Sequence, residues 1–215
     1  MKLVVTGATG LVGGAVLHAA LHDPRIASVV SLGRRQTGVT HPKLTELVVE
    51  DFLNLAPVAA HIRDADLCCH CLAAYIHRVR RAAYQTITVG YLDSLISVLE
   101  TASPGAAFCM FTTEGTRQDG KSWIRTMNVK GQAETRLLAS RLPRKYIFRP
   151  GYINPTQPRA RPVFYDRLMK PVFRLFPAMG IESADLARSM IDVGLSDPRP
   201  EAVIGHRELQ VLTGL

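Results

Sequence analysis

The sequence has no long hydrophobic run. No stretch of about 18 apolar residues, the length at which a helix crosses the apolar core of a membrane, occurs in it. Its first residues pass directly into an alternating apolar segment and a glycine turn, unlike the charged start, apolar run and cleavage site of a signal peptide. We therefore expect neither a membrane segment nor a secretory leader.

Repeats and low-complexity linkers are also missing. Hydrophobic residues make up 47% and charged residues 20% of the 215 residues, which excludes a disordered or fibrous chain. A chain of this length fills one large domain, and a second domain would be cramped.

Cysteine is scarce and wrongly spaced for a metal. The four cysteines are Cys68, Cys69, Cys71 and Cys109, each inside an apolar, strand-like run. Adjacent residues on a strand face opposite ways, so "CCHC" at 68–71 does not suit zinc. We expect no metal site, buried free thiols and a reducing, cytoplasmic location.

Acidic residues are fewer than basic ones, and the net charge is +8. Basic residues cluster in "HRVRR" at 77–81 and from Arg141 to Arg174, where Asp166 is the only acid. The aromatic interleaving of a nucleic-acid stacking surface is missing, so we expect no nucleic-acid partner. Basic residues on solvent-exposed surfaces, together with attraction for an anionic ligand, account for the net positive charge.

Short apolar strands alternate with longer amphipathic helices. This pattern predicts parallel βαβ units covered by helices on both faces, which is a doubly wound α/β sheet in a single domain. "GYINPTQPRARP" at 151–162 is predicted to be a loop; residues 1–153 would form the core and 154–215 a small C-terminal cap with closing elements. The predicted strands are 2–6, 28–32, 44–50, 65–73, 106–113 and 145–150, and the predicted helices are 11–22, 80–102 and 122–141.

Three glycines link the first strand to the first helix. Gly7 lets the chain turn sharply, Gly10 lets backbone N–H groups approach a pyrophosphate, and Gly13 lets the helix lie close to the sheet. The helix N-terminus supplies free donors and partial positive charge for phosphates. Because strand, glycines and helix occur together, we predict a dinucleotide-binding loop, to which Thr9, Leu11 and Val12 also belong.

The spacing G-x-x-G-x-x-G within "TGATGLVG" resembles the short-chain dehydrogenase/reductase superfamily, specifically its extended and atypical branches. "NVKGQAE" at 128–134 resembles the lysine helix of the atypical HIV Tat-interactive protein 2-like group. The resemblance implies a Rossmann fold and assigns further residues to the cofactor. These are Asp51 and Phe52 beside the adenine, Leu72, Ala73 and Ala74 at the ribose, Thr112 and Lys130, and Pro150, Gly151, Tyr152 and Ile153 over the nicotinamide.

The end of the second strand indicates which cofactor is preferred. A protein that prefers NAD usually has an acid there for the ribose 2′-hydroxyl, whereas this chain has Arg34 and Arg35. A guanidinium pairs with a 2′-phosphate, so we predict NADP(H). The alternative is two exposed arginines on a loop.

The resemblance also implies a catalytic pattern that this chain lacks in part. Relatives that transfer hydride carry a tyrosine four residues before the helical lysine and a hydroxyl at the end of the fifth strand. Here Lys130 and Thr113 are present, but Thr126 occupies the tyrosine position. Thr88 also replaces the asparagine or aspartate that fixes a helix kink in many relatives. Tyr152 is the preferred substitute acid, ahead of Tyr75 and Tyr84, although a packing role remains an alternative.

Two functions follow from this pattern. The first is an NADP-dependent oxidoreductase acting on an unidentified small carbonyl compound, with Thr113, Lys130 and Tyr152 as catalytic residues. The second is an NADPH-binding regulator that acts through a protein partner. A sugar-nucleotide epimerase is disfavoured, because it would need the missing tyrosine and a larger C-terminal subdomain. The chain is expected to be a monomer or a homodimer.

Overall fold

The computed structural model describes residues 1–76, 79–156 and 180–214. The strands are β1 (Lys2–Thr6), β2 (Ser28–Gly33), β3 (Leu44–Val48), β4 (Leu67–His70), β5 (Ala107–Phe111), β6 (Arg144–Arg149), β7 (Tyr152–Asn154), β8 (Gly180–Glu182) and β9 (Glu201–Gly205). The helices are α1 (Leu11–His22), α2 (Arg81–Gln85), α3 (Tyr91–Ala102), α4 (Arg125–Leu138), α5 (Ser183–Ser196) and α6 (His206–Thr213). A 3-10 turn lies at Ala56–Val58 and a π-helical turn at Thr86–Gly90.

Seven strands form one parallel sheet in the order β3-β2-β1-β4-β5-β6-β9. The chain runs outward from β1 to β3, returns to the middle, and runs outward again from β4. This arrangement confirms the predicted doubly wound fold. Because β9 pairs with β6, part of segment 154–215 completes the main sheet, while the division at residue 153 stays a prediction.

Helices cover both faces of the sheet. Successive strand residues face opposite ways, so Val5 and Cys69 pack in the core beneath α1 and α5, whereas Val4 and Cys68 pack beneath α3 and α4. Since both faces are buried, the central strands read as continuous apolar runs rather than alternating ones.

The segment after β6 differs from the prediction. Residues 152–154, expected in a loop, form β7 and pair in parallel with β8, with Tyr152 opposite Gly180. The Asn154 amide donates to the Glu182 carboxylate beside this pair. A three-residue strand has too little periodicity to be recognised, and its partner lies far along the chain, so the loop prediction was wrong here. Residues 157–162 of the predicted loop lie outside the described residues.

The predicted helix at 80–102 is also interrupted. It consists of α2, the π-helical turn and α3, and the turn contains Thr88. The Thr86 hydroxyl, at the start of the turn, donates to the Ala82 carbonyl at 3.1 Å. Apolar periodicity predicts helical backbone but does not distinguish one extra residue in a turn from a regular helix.

The four cysteines are free and buried, as expected. Across 1–76, 79–156 and 180–214, no group of three or more metal-binding side chains occurs, and none of the helices is long and apolar enough to cross a membrane. The cytoplasmic location stays a prediction. His77, Arg78 and the basic residues of 157–174 lie outside the described residues.

Candidate functional site

A long cleft opens where the strand order reverses, at the carboxyl ends of β1, β4 and β5. In open α/β sheets, ligands bind at this switch point. With the grooves beside α1, the cleft encloses about 2350 Å³. A typical small-ligand site has roughly 300–1,000 Å³, so this cleft has room for a ligand of dinucleotide length.

The glycine turn forms the middle of the cleft. Gly7 has φ +73°, and a Cβ on it would lie 2.6 Å from the Cys71 carbonyl oxygen. A Cβ on Gly13 would overlap the Gly7 carbonyl, so α1 packs directly on the turn. The Gly10 N–H donates to the Gly7 carbonyl at 2.8 Å. Only glycine fits the close backbone approaches at positions 7 and 13.

The N-terminus of α1 faces the cleft without a side-chain cap. Gly10 is the N-cap, and no acidic residue lies in the first turn. The first N–H groups of a helix have no partner within the helix, and they carry the positive end of its dipole. This end therefore has the geometry with which helices bind phosphate groups.

Arg34 and Arg35 lie at one end of the cleft, directly after β2. Both are exposed and line the cleft. No carboxylate in the described part of the chain pairs with either guanidinium. The two arginines are therefore available to an anionic ligand.

Thr113, Lys130 and Tyr152 line the other end of the cleft, on the β5 and β6 side of the sheet. Thr113 follows β5, Lys130 is on α4, and Tyr152 begins β7 with its hydroxyl buried. Thr126 precedes Lys130 by one helical turn and also lines the cleft, so both side chains share one face of α4. The three residues predicted to be catalytic thus line one cleft, and their catalytic roles stay a prediction.

A buried carboxylate supports this end of the cleft. Glu134 is 0% exposed; it accepts hydrogen bonds from the Thr112 hydroxyl at 2.6 Å, Gln118 Nε2 at 2.9 Å and Arg149 Nε at 3.0 Å. Arg149 also donates through Nη2 and forms an ion pair. Burial lowers the pKa of Lys130, and the Glu134 charge opposes this shift.

Sequence reasoning missed His70, the last residue of β4. It is 4% exposed, lines the cleft, and its Nδ1 lies 3.0 Å from the Thr6 hydroxyl. Burial lowers its pKa from 6.5 to about 4, so the imidazole is neutral at pH 7. Within "CCHC" the spacing argues only about a metal; the signal for His70 in the sequence is a polar residue at the end of an apolar central strand.

Tyr84 and Thr88 also line the cleft, from α2 and the π-helical turn. Tyr84 is buried, which raises its pKa, while a hydrogen bond with the Thr88 side chain opposes the rise. Helix turns of the π type often occur at functional sites. The π-helical turn is thus present although Thr88 replaces the expected asparagine or aspartate.

Most residues assigned to the cofactor line the cleft, but four do not: Gly13, Asp51, Phe52 and Pro150. Phe52 is 2% exposed and stacks on Tyr91 at 5.3 Å between ring centroids. Asp51 is exposed and accepts the Leu53 N–H at 2.8 Å. A direct cofactor contact for these four stays a prediction, and Gly13 acts in packing.

Several solved structures share this fold. MoeE5 in complex with UDP-glucose and NAD has a TM-score of 0.73 and 18% identity, covering 100% of this chain and 81% of that one. The Bordetella bronchiseptica enzyme WbmG in complex with NAD has a TM-score of 0.72 and 16% identity, and the match covers 95% of this chain and 72% of that one. A short chain dehydrogenase family protein from Francisella tularensis subsp. tularensis SCHU S4 has a TM-score of 0.68 and 16% identity, and the match covers 96% of this chain and 98% of that one. At such identities the likeness shows the fold alone.

The sequence also matches a family profile. No curated protein matches the chain, and the resemblance to the HIV Tat-interactive protein 2-like group stays a prediction. Residues 3–115, more than half of the chain, match the profile described as NAD dependent epimerase/dehydratase family. They contain the glycine turn, the two arginines and the hydroxyl-bearing end of β5. This chain therefore belongs to the NAD dependent epimerase/dehydratase family.

Proposed function

We propose that the chain binds NADP(H) and is an oxidoreductase acting on a small carbonyl compound. One observation carries the proposal: a single cleft has an uncapped helix N-terminus in its middle and Thr113 and Lys130 at one end. Family membership and the NAD bound by MoeE5 and WbmG support a nicotinamide dinucleotide.

The residues at the turn fit this cofactor. Gly7 and Gly10 line the cleft, and a Cβ would lie 2.6 Å from the Cys71 carbonyl oxygen at position 7 and 3.1 Å from the Gly7 carbonyl oxygen at position 10. Glycines in such a turn let a pyrophosphate approach the backbone. Leu72, Ala73 and Ala74, which follow β4, line the same cleft as Lys130. When bound there, the dinucleotide would supply a hydride.

The phosphorylated cofactor is favoured by Arg34 and Arg35. A charge-assisted hydrogen bond contributes about 1.5–3 kcal/mol, which corresponds to roughly ten- to a hundredfold in affinity. Neither arginine has a competing carboxylate among the described residues. A 2′-phosphate would therefore add binding energy that a 2′-hydroxyl does not.

Reduction of a carbonyl also requires that a proton be donated to the carbonyl oxygen of the substrate. A residue of this chain has to donate that proton. Thr113 would orient the carbonyl, and the Lys130 ammonium would bind the nicotinamide ribose. Thr126 does not replace a phenol, because an alcohol is far less acidic. We assign the proton donation to Tyr152, which lines the same end of the cleft.

Nucleotide-sugar chemistry is a weaker proposal for this chain. MoeE5 binds UDP-glucose, and WbmG was solved with NAD and UDP. Both chains are longer, since the matches cover 81% and 78% of them. The missing tyrosine at position 126 also argues against this chemistry here.

Arg34→Ala tests the cofactor preference. We expect the NADPH dissociation constant to rise about tenfold or more while NADH binding stays nearly unchanged. Cofactor fluorescence and protection against heating would measure both. Arg63→Ala, which removes an exposed arginine outside the cleft, is the matched control. Equal losses for both cofactors in Arg34→Ala would contradict the assignment.

The second candidate is an NADPH-binding regulator, favoured by the threonine at position 126. NADPH consumption with aldehydes, ketones and quinones distinguishes the two functions. The oxidoreductase predicts turnover by the wild type that is lost in Tyr152→Phe. The regulator predicts none, whereas Thr126→Tyr would gain activity, because general acid catalysis contributes about 10²- to 10⁴-fold.

A further inference from the structure

Glu134 connects three parts of the chain at the Lys130 end of the cleft. It belongs to α4, Thr112 and Gln118 lie in the loop between β5 and α4, and Arg149 ends β6. Each of the other three side chains donates a hydrogen bond to the Glu134 carboxylate. A fully buried carboxylate is costly unless it is paired and hydrogen-bonded in this way. The network therefore specifies one arrangement of these segments.

Glu134 also lies one helical turn after Lys130. Residues four apart on a helix are neighbours, so the carboxylate and the ammonium act on each other on one side of α4. Lys130 itself forms no hydrogen bond or ion pair with a described residue. Its ammonium is thus held in a desolvated place with Glu134 as the nearby opposite charge.

We propose that Glu134 is a positioning residue: it holds the hydroxyl-bearing end of β5 against the turn of α4 that carries Lys130, and its carboxylate is the counter-charge of the Lys130 ammonium. The inference rests on the proposed function in one respect: that function gives the reason why Thr113 and Lys130 need to be held in place. Thr112 adjoins Thr113, so fixing the Thr112 hydroxyl fixes the backbone that carries Thr113. The Thr112 N–H, which donates to the Phe148 carbonyl at 2.8 Å, is the second tether.

The charge effect has a defined sign. Burial lowers the pKa of Lys130 below its usual 10.5, and the Glu134 charge raises it. Without that charge, Lys130 would lose its proton at a lower pH. Two other titratable groups at this end, His70 and Tyr84, stay neutral between pH 7 and 9, because burial lowers the pKa of the first and raises that of the second.

Further titratable groups lie at the Lys130 end of the cleft. Arg149 on β6 pairs with Glu134 and stays charged throughout. Tyr152 on β7 lines the same end of the cleft. The exposed Tyr75 also lines the cleft, so a Tyr75→Phe, Tyr152→Phe background serves to assign an alkaline transition to Lys130.

Glu134→Gln removes the charge and keeps the shape and an acceptor oxygen. Glu100→Gln is the matched control, since Glu100 on α3 pairs with Arg141 and lies outside the cleft. If Glu134→Gln does not fold, Glu134→Gln with Arg149→Met carries the test. The double variant removes both buried charges, so no uncompensated one remains.

The first measurement follows the Lys130 side chain directly. In the full chain without added cofactor, ¹³C-lysine NMR across alkaline pH gives its titration midpoint, with Lys130→Met identifying the signal. We expect Glu134→Gln to lower the proton affinity of Lys130 by more than about twofold, the size the same spacing produces on an exposed helix. Glu100→Gln should leave it unchanged. An equal midpoint in wild type and Glu134→Gln would overturn the proposal.

The second measurement uses NADPH as the probe. Wild-type affinity should fall as Lys130 loses its proton, and in Glu134→Gln this fall should begin at lower pH. A merely structural role would weaken binding equally at every pH, which would also overturn the proposal. If the Lys130 midpoint moves but NADPH does not bind the wild type, Glu134 keeps its role toward Lys130 and the proposed function fails.

Discussion

At the scale of single residues, Thr126 and His70 show how much of the cleft the sequence reveals. Thr126 stands one turn before Lys130, where the family resemblance predicts a tyrosine. His70 closes β4 at the floor of the same cleft. The sequence shows the first difference directly, because it depends only on spacing. It does not show the second, since the environment of His70 depends on three neighbouring strands.

His70 makes stability depend on pH. Its pKa is about 4 in the folded protein against 6.5 for an unperturbed histidine, so the unfolded chain binds the additional proton between these values. The stabilisation is complete above pH 6.5 and is lost as pH falls toward 4. Relative to His70→Asn, we expect the wild-type free energy of unfolding to fall by about 2 kcal/mol between pH 7.5 and pH 5.

Urea denaturation at the two pH values measures this difference. His61→Asn, which replaces an exposed histidine, is the control and should follow the wild type. Parallel curves for the wild type and His70→Asn would show that His70 is not held neutral.

At the scale of elements, α4 docks closely against the loop after β5. A Cβ on Gly131 would overlap the backbone carbonyl of Arg117. One turn later on α4, Glu134 accepts a hydrogen bond from Gln118 of the same loop. Glycine at 131 and the carboxylate at 134 therefore dock this loop together, next to the residues that line the cleft.

Gly131→Ala should be destabilising by about 1–2 kcal/mol. Overpacking costs about 1–3 kcal/mol, and the better helix propensity of alanine recovers only about 0.5–1 kcal/mol. Thermal and urea unfolding measure the net effect. Gly105→Ala is the control, because a Cβ there meets nothing within 4 Å. A stabilised Gly131→Ala variant would mean that the loop moves away at little cost.

At the scale of the whole molecule, the strand order brings distant segments to one cleft. β1 and β4 are neighbours in the sheet although β2 and β3 lie between them in the chain, and their pairing sets Thr6 opposite His70. The glycine turn after β1 therefore meets the ends of β4 and β5. Whether the protein is a monomer or a homodimer stays a prediction.

The sequence by itself determined the fold class and the middle of the cleft. Apolar strands alternating with amphipathic helices, and glycines at fixed spacing after the first strand, are local patterns with local causes. The arginines after β2 follow a recognisable strand, whereas Lys130 and Thr113 were predicted from the family resemblance, and all four residues line the cleft.

Only the tertiary structure decided how the cleft is supported. The pairing of β7 with β8, the neutral state of His70 and the contacts of Glu134 with Thr112, Gln118 and Arg149 join segments far apart in the chain. Burial and charge pairing depend on which segments meet, and no local pattern carries that information.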